Sequence, residues 1–109
     1  MTLREFRDML CTLESVPIFH KKAQKISEYI VWREVNCGLG FDGDGYSAEH
    51  GKRIAVDFYT KSEYSDIPQR ITELLSAYDE ICFDGPVVDY EEDTGCTHYA
   101  FDAEVYGSG

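Results

Sequence analysis

A glycine-rich stretch is the first of three patterns whose residue types could do chemistry. Residues 38–43 read Gly-Leu-Gly-Phe-Asp-Gly, which matches the GxGxxG fingerprint of dinucleotide-binding folds. That fingerprint works because a helix begins at the loop and its N-terminal amides face the pyrophosphate. In this chain Asp42 and Asp44 would face the same anion, and the next predicted element is a strand. We therefore expect no nucleotide site.

The same loop contains a second pattern, a pair of acids spaced as in a calcium-binding loop. With Asp42 at position 1 of an EF-hand, Tyr46, Ser47 and Arg53 fall at positions 5, 6 and 12. Those positions need an oxygen ligand, a glycine and a bidentate acid, respectively. The EF-hand is excluded, and a weak cation site remains an open alternative.

The third pattern places Cys96, His98 and Asp102 on one face of a predicted strand. Cysteine with histidine can form a nucleophile pair. Side chains two residues apart on a strand are only parallel neighbours, however, and the sequence offers no separate base or oxyanion element. His20 and His50 lie apart from one another in polar segments. We expect no enzyme activity, no cofactor and no resident metal.

The four cysteines, at positions 11, 37, 82 and 96, include no CxxC pair. A structural zinc site and a thioredoxin-like motif therefore have no support in the sequence. Residues Met1–Asp8 do not resemble an export signal, and no apolar run is long enough for a membrane span. We expect an intracellular protein whose cysteines are reduced thiols, mostly small core residues.

Charge is distributed unevenly along the 109 residues. The chain has 10 Lys and Arg against 21 Asp and Glu, a formal net charge of −11. All ten basic residues lie at or before Arg70, whereas the residues from Ile71 onward include ten acids and no Lys or Arg. Since affinity for nucleic acid depends on Lys and Arg displacing phosphate counterions, specific nucleic-acid binding is not expected.

Two amphipathic helices are predicted. The first spans Thr2–Glu14 and begins with a Thr2/Glu5 capping box. The second is capped by Asp66 with Gln69 and carries Pro68 in its first turn. Both have apolar side chains at helical spacing, which predicts one buried face on each helix.

The strands predict the rest of a single domain over residues 1–106, with residues 107–109 as a flexible tail. Full strands are predicted at residues 29–35, 52–60, 87–92 and 96–106, and short extended pieces at residues 16–19 and 81–83. The last two full strands flank Asp93-Thr94-Gly95 as a hairpin, and residues 36–51 form a long loop. This order indicates an α+β fold, a two-layer sandwich of a mainly antiparallel four-stranded sheet with two amphipathic helices.

Two strand motifs together resemble the tail-terminator proteins of long-tailed bacteriophages and prophages, also called tail completion or head–tail joining proteins. They are Glu-Tyr-Ile-Val-Trp at residues 28–32 and Lys-Arg-Ile-Ala-Val-Asp-Phe-Tyr-Thr-Lys at residues 52–61, followed by a helix and an acidic hairpin. That family has a short helix, a "PYIVY"-like strand, a variable loop, an "LYTK"-like strand, a helix and a final hairpin. This chain departs from the pattern at Ser27-Glu28 and in the glycine-rich loop.

The resemblance implies a structural protein that caps the tail tube as a ring, usually of six subunits. Its partners would be a tail-tube protein and a head-connector protein, first in the bacterial host cytoplasm and then at the head–tail junction of the virion. Aromatic and loop side chains are the predicted subunit contacts: Trp32, Leu39, Phe41, Tyr46 and Tyr59. Four acids of the hairpin are predicted to face the lumen and repel DNA: Asp89, Glu91, Glu92 and Asp93.

Two other interpretations remain open. The acid excess also suits an inhibitor that mimics DNA and occupies a nucleic-acid-binding host protein. It suits equally a domain whose acidic face does no more than keep it in solution. Oligomeric state separates the first of these from the ring, because a DNA mimic acts as a monomer on a basic partner.

Overall fold

The computed structural model describes residues 1–22, 26–35 and 52–106, which form an α+β domain. Its elements, in chain order, are α1 (Leu3–Leu10), β1 (Ile18–His20), β2 (Glu28–Glu34), β3 (Lys52–Thr60), α2 (Ile67–Ser76), β4 (Ile81–Glu91) and β5 (Cys96–Val105). The predicted fold class and both helices are confirmed. The predicted tail at residues 107–109 and the predicted loop at residues 36–51 lie outside the described residues.

One sheet contains all five described strands, in the order β1-β2-β3-β5-β4. The prediction of four strands was therefore wrong by one. The short piece after Pro17 pairs with β2 in parallel, Ile18 opposite Ile30, whereas the other three pairings are antiparallel. Because β5 lies between β3 and β4, the two edges of the sheet are β1 and β4.

The core lies between the helices and one face of the sheet. Alternate residues of the central strands supply that face, including Ile30, Phe58 and Phe101, each at most 1% exposed. Phe6 and Leu10 of α1 and Ile71 and Leu75 of α2 join the same cluster. The predicted alternation of β3 and β5 is confirmed. The opposite face of the sheet carries the other alternate residues; neither described helix covers it, and it is called the helix-free face below.

Helix α1 begins as predicted and ends earlier than predicted. The Thr2 hydroxyl accepts a hydrogen bond from the Glu5 amide at 3.1 Å, and the Glu5 carboxylate accepts one from the Thr2 amide at 2.8 Å. Beyond Leu10 the chain turns tightly, with bonds from the Leu13 amide to the Leu10 carbonyl and from the Val16 amide to the Leu13 carbonyl. Leu13 and Val16 are still buried, so the apolar spacing extends past the end of the helix.

The start of α2 differs from the predicted Asp66/Gln69 cap. Asp66 occupies the N-cap position, but its side chain makes no capping hydrogen bond. The hydroxyl of Ser65 instead accepts from the Ile67 amide at 3.2 Å, and Gln69 donates to Glu73 at 3.2 Å. Asp66 has helical backbone angles rather than the extended ones of a capping residue, which turns its carboxylate away from the first amides.

Strand β4 joins two pieces that the sequence predicted separately. The register with β5 shifts between Asp84 and Val87, so residues 81–84 and 87–91 belong to one bulged strand. Gly85 lies in the bulge with φ of +115°, and a Cβ there would lie 2.7 Å from the Ala100 carbonyl oxygen. The bulge requires glycine because neither the backbone angle nor the space admits a side chain.

Candidate interaction surface

The outer part of β4 exposes apolar side chains at one edge of the sheet. Val87 is 69% exposed, Val88 56% and Tyr90 60%. Alternate residues of an edge strand also direct their N–H and C=O groups away from the sheet. No described element lies beyond β4. This edge therefore offers both backbone hydrogen-bonding groups and apolar surface to another chain.

Carboxylates surround these apolar side chains. Residues 84–93, called the acidic edge below, contain five acids and no basic residue: Asp84, Asp89, Glu91, Glu92 and Asp93. At the hairpin turn the Gly95 amide donates to the Glu91 carbonyl at 2.8 Å, and the Thr94 hydroxyl donates to the Glu91 carboxylate at 3.2 Å. Two acidic edges would repel one another, which disfavours their direct pairing.

The opposite edge of the sheet has the opposite character. Residues 18–22, called the basic edge below, comprise β1 followed by Lys21 and Lys22, and contain no acid. Ile18 and Phe19 are half-buried, and the two lysines are exposed. The Lys21 amide donates to the Trp32 carbonyl at 2.9 Å, which extends the alignment with β2 by one residue.

His20 ties the basic edge to β2. Its ring stacks on Trp32 with the ring centroids 4.0 Å apart, and its Nε2 lies 2.9 Å from Glu34 Oε1. The hydrogen bond from His20 lowers the pKa of Glu34, and the charge of Lys21 acts in the same direction. Glu34 is thus held in its ionised form beside the lysine.

Aromatic rings stack across the helix-free face of the sheet. Phe19, Tyr29, Tyr59 and His98 follow one another on four neighbouring strands. Phe19 meets Tyr29 edge-on with the ring centroids 6.2 Å apart, whereas Tyr29, Tyr59 and His98 stack with separations of 4.9 and 4.3 Å. Tyr29 lies directly opposite Tyr59, and Tyr59 directly opposite His98, so the pairing register creates the stack. Cross-strand aromatic pairs of this kind stabilise a sheet and fix its register.

The hydroxyl of Tyr59 stays protonated at neutral pH. Burial, and then the negative charge of Asp57, raise the pKa of Tyr59 to about 12. The phenol is therefore a neutral member of the stack.

His98 pairs with Asp57, not with the acid that its own strand suggested. Nε2 of His98 lies 2.7 Å from Asp57 Oδ1, and the two side chains are 22% and 13% exposed. Asp102 lies on the same face, but it is four residues along β5 from His98. It lies opposite Ala55 and is exposed. The suggested grouping of Cys96, His98 and Asp102 is thus not a triad. Asp57 was missed because it lies 41 residues from His98 and only the pairing of β3 with β5 brings them together.

Chemically, the Asp57–His98 pair could orient an imidazole as a base. Cys96, the nearest cysteine in sequence, is only 6% exposed. Within the described ranges no Ser, Thr or Cys side chain is hydrogen-bonded to His98. The pair joins β3 to β5 on the helix-free face.

A cleft of about 700 Å³ lies beside the ring stack, at the hairpin turn. Its lining combines Lys61 with the carboxylates of Glu91 and Asp93. The positive and negative side chains of this lining partly neutralise one another, so the cleft does not favour ions of one sign. Among the residues that the structure describes, no group of three or more His, Cys, Asp and Glu is placed to hold a metal.

The structure separates the predicted interface residues. Trp32 is 3% exposed and packs against Phe6, with the ring centroids 5.9 Å apart, so α1 covers the surface that a neighbour would need. Its predicted contact with another subunit has no exposed surface to support it. Tyr59 is half-buried in the ring stack. Leu39, Phe41 and Tyr46 lie outside the described residues. The glycine-rich residues 38–43, the acids Asp42 and Asp44, and His50 lie outside them as well.

The predicted lumen residues all belong to the acidic edge. Asp89, Glu92 and Asp93 are exposed, and Glu91 is half-buried. Among the described cysteines, Cys96 is buried but Cys11 and Cys82 are exposed, so the expectation of mostly buried cysteines was wrong for those two. Both are on surfaces because Cys11 caps α1 and Cys82 faces away from the helices.

Sequence reasoning missed Val87, Val88 and Lys21 as surface features. The signal for the valines was present, since two adjacent apolar residues in a strand must point to opposite faces. Only the strand order shows that both faces are open there.

Comparisons with protein-family models, with curated proteins and with solved structures found no match to this chain. Within the described residues, no helix has both the length and the apolar character needed to cross a membrane.

Proposed function

We propose that this chain is a structural subunit that forms a ring, caps the tail tube of a long-tailed bacteriophage or prophage, and joins it to the head connector. The sequence resemblance at residues 28–32 and 52–61 supports the proposal, and all of these residues except Lys61 belong to the adjacent strands β2 and β3. The proposal includes no catalytic step, and its partners are further copies, a tail-tube protein and a connector protein.

The observation that carries the proposal is the exposed acidic edge. Among the large apolar residues of the described strands, only Val87, Val88 and Tyr90 are exposed, each by more than half. Exposed apolar side chains along an unpaired sheet edge typically mark an interface with another chain. A subunit whose work is assembly needs such a surface.

The same edge supports a ring better than an inhibitor that mimics DNA. A mimic presents carboxylates where phosphates would lie, and its partner's basic residues contact them directly. Here the acids alternate with exposed valines and a tyrosine on a strand with an open backbone edge. Apolar side chains at such an edge favour strand pairing with another chain.

Electron microscopy tests the proposal. The purified chain is imaged alone at high concentration, and again with assembled tubes of a tail-tube protein from the same genome. We expect closed rings of about six copies, because head-to-tail contacts that close produce rings, and caps on tube ends. A chain that is monomeric in both samples and leaves every tube end bare would contradict the proposal.

A charge-matched control is needed because the chain is strongly acidic, at −11. An unrelated small acidic protein of similar net charge is incubated with the same tubes. Decoration of tube ends by both proteins would mean that charge alone drives binding, and the terminator role would then be wrong.

A further inference from the structure

The register of the sheet aligns each residue of the basic edge with a residue of the acidic edge. One row across the strands starts at Ile18 and, through Ile30, Phe58 and Tyr99, ends at Val88. The next row starts at Phe19 and, through Val31, Asp57 and Ala100, ends at Val87. Both ends of both rows are apolar.

Charge follows the same alignment, at Lys21, two residues after Phe19, and at Asp84, three residues before Val87 across the bulge. Lys21 follows His20, which pairs with Trp32, so its row continues through Arg33, Ala55 and Asp102 to Asp84. Lys21 and Asp84 are both exposed. When the sheet of one copy continues into the next without a shift, the two exposed valines meet Ile18 and Phe19, and a carboxylate meets an ammonium group.

Face and direction also agree in this alignment. Val88 and Ile18 lie on the helix side of their strands, and Val87 and Phe19 on the helix-free face, because residues in one row share a face. Strand β4 runs antiparallel to β1, since the three pairings between β2 and β4 are all antiparallel and β1 is parallel to β2. A slip of one residue would exchange the faces and lose the match.

We infer that the acidic edge of one copy pairs as an antiparallel strand with the basic edge of a second copy, with Val88 opposite Ile18, Val87 opposite Phe19 and Asp84 beside Lys21. The partner is thus another copy of this chain. Repulsion between two acidic edges disfavours the symmetric alternative. The contact deepens the proposed function and rests on it only for closure into a ring, because a head-to-tail contact gives either a ring or an open chain.

The first test removes the apolar part of the contact. Val87→Lys places a charge opposite Phe19, and Tyr64→Lys is the matched control, because Tyr64 is 91% exposed and lies in neither edge. Sedimentation of the full chain over a range of concentrations gives the dissociation constant of the contact. We expect Val87→Lys to raise it about tenfold or more, since burial of a valine side chain is lost, and Tyr64→Lys to leave it unchanged.

The second test exchanges the charges. Asp84→Lys and Lys21→Asp each put like charges opposite one another, and aspartate tolerates the left-handed backbone of Lys21, whose φ is 80°. Each variant alone should associate less than the unmodified chain. A mixture of the two variants should recover, because every contact in an alternating assembly again joins opposite charges. Thermal unfolding of each variant verifies that the fold is retained.

Three results would overturn the inference: an unmodified chain that stays monomeric at millimolar concentration, a Val87→Lys variant that associates normally, or a mixture that associates no better than its components. Rings that persist in Val87→Lys contradict the strand pairing and leave the proposed function standing. If the unmodified protein forms open chains and Val87→Lys abolishes them, the result supports the strand pairing and contradicts the ring.

Discussion

At the scale of single residues, a hydrogen-bonded pair and a stack of rings join the strands on the helix-free face. Asp57 and His98 lie on neighbouring strands and contact one another at 2.7 Å with little exposure to water. Tyr59 stacks on the same histidine with its centroid at 4.3 Å. An acid so placed contributes to stability mainly because removal of either partner leaves the other poorly solvated.

Loss of Asp57 should therefore destabilise the fold. We expect Asp57→Ala to lower the free energy of unfolding by about 1–3 kcal/mol, the usual effect of leaving a largely desolvated polar group without its partner. Asp102→Ala is the control, because Asp102 lies on the same face but is exposed, and it should change stability by no more than about 0.5 kcal/mol. Urea unfolding measures both, and equal losses would mean that the pair has no specific role.

Tyr59 predicts how stability depends on alkaline pH. Its pKa is about 12 in the folded chain against an ordinary value of 10. The unfolded chain loses this proton first, so the contribution is complete below about pH 10 and is lost as pH rises toward about 12. Tyr59→Phe should reduce the decline of the urea midpoint over this range, whereas Tyr64→Phe, at a 91% exposed side chain, should not. A decline that is identical in both variants would show that other groups cause it.

At the scale of elements, the spacing of apolar residues predicted those helices and strands whose burial pattern is set within one segment of the chain. Strand β3 has the predicted bounds, and the capping box at Thr2 and Glu5 is present. The pattern could not predict the end of α1, because Leu13 is buried through tight turns just as it would be in a helix. It could not predict the fifth strand either, because β1 has three residues and depends on its partner β2.

The candidate surface was predictable only in part for the same reason. The hairpin acids are visible in the sequence, but whether β4 lies at an edge depends on β5 pairing with β3. The Asp57–His98 contact and the alignment of the two edges also depend on this long-range pairing. Such information belongs to no single segment of the chain.

The bulge in β4 gives the prediction at this scale. Gly85→Ala should destabilise the protein by more than about 2 kcal/mol, because the new methyl group would lie 2.7 Å from the Ala100 carbonyl oxygen at a φ of +115°. Gly95→Ala at the hairpin turn is the matched control, with φ of +75° and no atom within 4 Å of its Cβ, and should lose only about 1–2 kcal/mol. Chemical denaturation compares them, and a smaller loss at Gly85 would argue that the bulge can move.

At the scale of the whole molecule, the two edges of the sheet carry opposite charges. The acids from residue 84 to 93 lie along β4 and its turn, and Lys21 and Lys22 follow β1 at the other edge. Within a ring, each acidic strand would be partly neutralised by the next copy. The turn beyond the paired rows, with Glu92 and Asp93, would keep its full charge.

That remaining charge gives the last prediction, which concerns DNA. The carboxylates at the turn act over about 8 Å at physiological salt. Conversion of Glu91, Glu92 and Asp93 to Lys should leave the fold intact, because Glu92 and Asp93 are exposed and the half-buried Glu91 side chain loses only its hydrogen bond from Thr94. If the turn lines the channel of the proposed ring, the variant phage assembles tails but retains DNA during ejection, and its yield falls.

The control for this variant changes net charge equally at a distance from the turn. Glu14, Glu63 and Glu73 are exposed acids on or near the helices, and their conversion to Lys should leave yield unchanged. Yield and DNA ejection are measured for the parent and both triple variants. An equal fall in both would implicate net charge alone, and no fall in either would mean that the turn only solvates the protein. Either result would contradict the assignment of the turn to the lumen. The ring itself is tested separately by the electron microscopy described above.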